Sequence, residues 1–78
     1  MDVQKRVYET ITECFGIPEN EINESERLCD IADDSLETVM FFLAIEQTFG
    51  VTFDEDEVVE AYHNYALDEI IARIEEKI

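Results

Sequence analysis

Residues 33–50 read DDSLETVMFFLAIEQTFG, and the apolar positions in this stretch do not keep to one stripe. At helical spacing Leu36, Val39, Phe42 and Leu43 share one side, while Phe41, Ile45 and Phe49 step along another at intervals of four. Glu37, Thr38, Glu46 and Gln47 leave only a narrow polar side. A helix apolar over most of its circumference is either buried among neighbours or holds apolar surface out to a partner. A chain of 78 residues can build one small core and no second one. This segment, predicted as a helix from about Ser35 to Phe49 and stopped by Gly50, therefore sets the centre of the fold.

The remaining runs supply its neighbours. Val3, Val7, Ile11, Cys14 and Phe15 recur at three and four, which predicts a helix over about 2–15 ended by Gly16. Asp54 is a plausible N-cap for a short helix over about 56–62, with acids at its positive end. Leu67, Ile70, Ile71, Ile74 and Ile78 predict a last helix over about 66–77. Only Val51 and Phe53 alternate, and a lone strand has nothing to pair with, so 51–55 reads as extended loop. Between the first two helices, GIPENEINESERLCDIADD forms a long connection whose Ile17, Ile22, Leu28 and Ile31 pin it to the core. Connections beyond about 12–15 residues are uncommon and often functional. This one leads directly to Ser35. The expectation is an all-α, small four-helix bundle, three longer helices plus one short, forming a single domain over 1–78.

Hydrophobic residues make up 46% of the chain, too many for a disordered tail. Five basic residues stand against 21 acidic ones, a net charge of −16. That charge repels phosphate backbones and anionic membrane surfaces, so neither nucleic acid nor lipid is an expected partner. It points instead to proteins presenting Lys and Arg patches, and to a monomer. No apolar run approaches the roughly 18 residues that span a membrane. Two cysteines without a signal peptide suggest free thiols in a reducing compartment, hence the cytoplasm. Cys14, Cys29 and His63 lack paired ligand spacing, so no zinc site is expected, and Cys14 on an apolar face reads as a small hydrophobe. DEDE at 54–57 does not start an EF-hand, because Val58 and Val59 stand where an oxygen ligand and Gly are needed. An acidic interaction module with loose cation binding is the alternative that run leaves open. A single His, with Tyr62 and Tyr65 near it but no triad partner, leaves no catalytic residue to name.

Asp-Ser at a helix start is explained by capping alone, since both residues are preferred N-caps. Its surroundings say more. A short acidic chain in which a helix and a long loop precede Asp34, Ser35, Leu36, Glu37, Thr38 and Val39 resembles the acyl carrier proteins. ERLCDIADDSL is similar to the family's approach to its serine, FFLAIEQTFGV to the helix beyond it, and LDEIIARI to its closing helix. The resemblance covers nearly the whole chain. It implies that Ser35 receives phosphopantetheine as a phosphodiester from a transferase that uses coenzyme A. It implies that Asp34 serves transferase recognition, and that the protein catalyses nothing itself. The arm's thiol would carry acyl groups as thioesters between enzymes of fatty acid or polyketide biosynthesis. A specialised carrier for another acyl or aminoacyl group fits the same residues. The helix after Ser35 would be the docking surface for the transferase and for acyl-loading and synthase enzymes with basic patches, through Leu36, Glu37, Val39, Met40, Leu43 and Glu46. Three departures stand out. Met40, Gln47 and Thr48 replace acids the family often has, which makes this helix more apolar, unless Met40 packs against the long connection. Ala32 and Asp33 stand where Gly and a small or apolar residue are common, which predicts a different course for the loop before Ser35. Two extra residues fall around AYHNY, where the short helix meets the last one.

Overall fold

The computed structural model describes every residue except Met1 and Asp33, with Ser35 described by its backbone alone. Among the described residues five α-helices follow one another: α1 Val3–Phe15, α2 Leu28–Ile31, α3 Ser35–Phe49, α4 Glu55–Asn64 and α5 Leu67–Lys77, with a 3-10 turn at Glu19–Glu21. This is the expected small all-α bundle, and no strand is present among the described residues. Asp2 opens α1 by accepting the Lys5 N–H at 3.2 Å. Gly16 and Gly50 close α1 and α3 with φ of 73° and 68°, a region that costs residues with a Cβ.

As its apolar circumference requires, α3 lies at the centre. Phe41, Phe42 and Ile45 are buried against Val3, Val7 and Ile11 of α1, Ala61 of α4, and Leu67, Ile70, Ile71 and Ile74 of α5. The Phe41 ring lies 5.8 Å from Phe15 and 5.3 Å from Phe42, in tilted and edge-on arrangements favoured by aromatic quadrupoles. Cys14 and Phe15 flank this core half-buried. Two placements differ from expectation. Ile78 follows the end of α5 and is exposed, and Thr38, assigned to the polar side of α3, is buried.

The fourth helix is longer than predicted. It begins at Glu55, where Glu57 Oε1 accepts the Asp54 N–H at 3.3 Å, and continues through His63 and Asn64 to Tyr65 as its C-terminal cap. Most of AYHNY, read from the sequence as the place where the short helix meets the last one, therefore lies within α4. The long connection is more ordered than its composition suggests, since Leu28, fully buried, anchors the one-turn helix α2. It also caps another element. Ala66, at the N-cap of α5, has no side-chain acceptor, and the Leu67 and Asp68 N–H groups donate instead to the Glu26 and Glu24 carbonyls at 2.9 and 3.0 Å. Arg27 and Ala66 form an isolated antiparallel bridge beside them. No described helix is long and apolar enough to cross a membrane.

Candidate functional site

The connection delivers the chain to the start of α3 in extended backbone. Ala32 has φ −89° and ψ 133°, accessible to any residue, and its N–H closes α2 on the Leu28 carbonyl at 2.8 Å. Ala32 thus stays outside the positive-φ region that glycine supplies, and Asp33 lies outside the described residues. Asp34 is extended and its Oδ1 accepts the Glu37 N–H at 3.0 Å. The aspartate is the N-cap, and Ser35 is the first helical residue. The serine hydroxyl lies outside the described side chains. Its main chain stands at the positive end of a 15-residue helix, where first-turn amides lack intrahelical acceptors.

Beyond Ser35, Leu36, Val39, Met40 and Leu43 are exposed, Leu36 by 65% and Met40 by 58%. Met40 therefore does not pack against the connection. With Thr38, Phe41, Phe42 and Ile45 turned into the bundle, it falls on the opposite side. Val59 on α4 is exposed as well and extends the apolar surface across the seam between the two helices. Glu37 is half-buried at the head of this surface. Glu46, half-buried lower down, accepts the Phe53 N–H through Oε2 at 2.8 Å, so its carboxylate clasps the loop after α3. Two open grooves meet at Val39. One of about 270 Å³ is lined by Phe42, Leu43, Phe53 and Val58, the other of about 370 Å³ by Thr38, Val58, Val59, Tyr62 and His63. Thr38 Oγ1 is buried and has no hydrogen-bond partner among the described residues.

Sequence reasoning missed Val59 and the buried Thr38 hydroxyl. Adjacent valines on a helix point to different sides, so Val58–Val59 carried a signal that one of them faces out. Other chemistry-bearing groups lie apart from Ser35 in the sequence. Burial, followed by the neighbouring Glu13, pushes the Cys14 thiol above its ordinary value, and Cys29 is exposed on α2. Tyr62 stacks edge-on with His63 at 5.0 Å, and Arg73 lies 5.2 Å over the Tyr65 ring.

The sequence profile of the family described as Phosphopantetheine attachment site matches residues 5–66, from α1 to the start of α5. The chain belongs to this family, and its covalently bound prosthetic group is phosphopantetheine. Proteins of this class act in general as carriers and work with transferases and synthases. The described residues fit such a group. The N-terminal turn of α3 offers amide donors to a phosphate, and exposed apolar surface lies next to it.

Proposed function

We propose that Ser35 is the attachment residue and that residues 1–78 form one carrier domain that passes acyl intermediates between enzymes of fatty acid or polyketide biosynthesis in the cytoplasm. The observation that carries this reading is the position of Asp34-Ser35-Leu36 at the N-terminus of α3, inside the span matched by the family. When bound, the arm supplies a terminal thiol that holds an acyl group as a thioester. The chain's own residues do the rest. First-turn amides and the helix dipole orient the phosphate ester. Asp34 opposes that phosphate in charge, and its carboxylate already holds the Glu37 N–H, so its further role is recognition by the transferase through Mg²⁺. Leu36, Val39, Met40 and Leu43, headed by Glu37, form the face on which the transferase and the loading and synthase enzymes dock. Partners of matching chemistry present an apolar patch edged with Lys or Arg, because the carrier is strongly acidic outside the strip.

Incubation with a phosphopantetheinyl transferase and coenzyme A is expected to raise the intact mass by one arm. Ser35→Ala is expected to fold as the parent does and to show no increase. An increase that survives the substitution would sink the assignment.

A further inference from the structure

We infer that the connection between α1 and α3 is a strap that couples the approach to Ser35 to the start of α5, with Asn23 as the residue that positions it. The coupling rests on contacts within the chain; its bearing on arm attachment rests on the reading of Ser35 given above.

The longer helices meet the need for N-terminal acceptors in different ways. Asp2 and Asp34 serve α1 and α3 with their own carboxylates, and at α4 the Glu57 side chain reaches back to the Asp54 N–H. At α5 the N-cap is Ala66, whose methyl group accepts nothing. The Leu67 and Asp68 N–H groups are satisfied from outside the helix, by the Glu26 and Glu24 carbonyls at 2.9 and 3.0 Å. The first turn of α5 therefore keeps its form while the connection stays in place.

The turn that aims those two carbonyls is built by Asn23. Its Oδ1 accepts the Ser25 N–H at 2.9 Å and the Ser25 hydroxyl at 2.7 Å, and its carbonyl accepts the Glu26 N–H at 3.0 Å. A side chain bonded to the backbone two residues on fixes the course of a turn that other residues leave loose. Beyond the turn, Arg27 bridges to Ala66, and Leu28, fully buried, opens α2. The Ala32 N–H then closes α2, and Asp34 caps α3. One ordered run thus leads from Asn23 to the attachment residue, with the start of α5 as its fixing along the way. Coupling of this kind is reciprocal. Displacing the approach to Ser35 withdraws acceptors from α5, and fraying α5 removes two bonds that keep the approach in register.

The test measures amide exchange by NMR on the unmodified protein and its variants. Asn23→Ala is expected to speed exchange at Leu67 and Asp68 about fivefold or more, the factor one net hydrogen bond represents, while Ile71 and Ile74 stay as protected as in the parent. Asn23→Asp keeps the acceptor and is expected to keep the protection. Ala66→Ser gives α5 an acceptor of its own for the Asp68 amide, so combined with Asn23→Ala it is expected to restore Asp68 and to leave Leu67 fast. Arm transfer from coenzyme A, followed by intact mass, is expected to show KM for the Asn23→Ala carrier raised several-fold at unchanged kcat, because a loosened approach must be ordered on binding. Asn23→Asp is expected to match the parent. Unchanged exchange at Leu67 and Asp68 in Asn23→Ala, or an equal loss of protection at Ile71 and Ile74, would overturn the coupling. Quickened exchange with an unchanged KM would overturn its bearing on attachment. A parent that gains no arm would overturn the reading of Ser35 and leave the exchange result standing.

Discussion

Asp34 and Ser35 are adjacent, yet the fold gives them different tasks. The aspartate carboxylate ties down the Glu37 amide as the N-cap of α3, and the serine follows it as the first helical residue. Replacing Asp34 by Ala should lower stability by about 0.5–2 kcal/mol in urea unfolding, the usual worth of an N-cap. Asn caps as well as Asp and differs mainly in charge, so Asp34→Asn should change stability by less than about 1 kcal/mol. If the Asn variant folds normally but gains its arm much more slowly, the carboxylate charge is what the transferase reads; an unaltered rate would reduce Asp34 to a cap. The two thiols should also separate. Burial keeps Cys14 protonated, so iodoacetamide at neutral pH is expected to label exposed Cys29 first, as peptide mass mapping would register. The raised value has a sign for stability. Above the ordinary thiol value of 9.0 the unfolded chain ionises Cys14 while the folded one still holds its proton, so this contribution falls as pH rises.

Among the elements, the connection between α1 and α3 does more than its composition advertises. Leu28 is fully buried at the head of α2, and the carbonyls of Glu24 and Glu26 take up the first amides of α5. Leu28→Ala is therefore expected to cost about 2–5 kcal/mol, as core truncations do. It should also speed hydrogen exchange at Leu67 and Asp68, which a cavity confined to α2 would leave unchanged. The clasp after α3 makes a second case. Glu46→Ala should cost about 1 kcal/mol, because the bond it removes is charge-assisted but half-exposed. Exchange at the Phe53 amide should quicken at the same time. The main helices were legible because their apolar spacings are regular and Gly16, Gly50 and Asp54 mark their ends. The extent of α4 was not, since His63 and Asn64 carry no stop signal and α4 ends only where Tyr65 turns extended.

For the molecule as a whole, 21 acidic residues against five basic ones make self-repulsion the main electrostatic load. Among the described residues the ion pairs are Arg6–Glu9 and Lys77–Glu57, both on the surface and of little worth. Added salt, or millimolar divalent cations, should raise the melting temperature; a flat response would mean the charges are too well spread to matter. The sequence alone determined that the chain forms an acidic all-α bundle, that α3 lies at its middle, and that Asp34-Ser35-Leu36 opens that helix. Periodicity, caps and charge are local properties, and each can be counted along the chain. Only the tertiary structure decided which side of α3 faces out, that Thr38 is buried while Met40 is exposed, and that a loop caps α5. Those outcomes depend on which neighbours α3 meets, and a helix apolar on nearly every side carries no mark in its own residues of the side left uncovered.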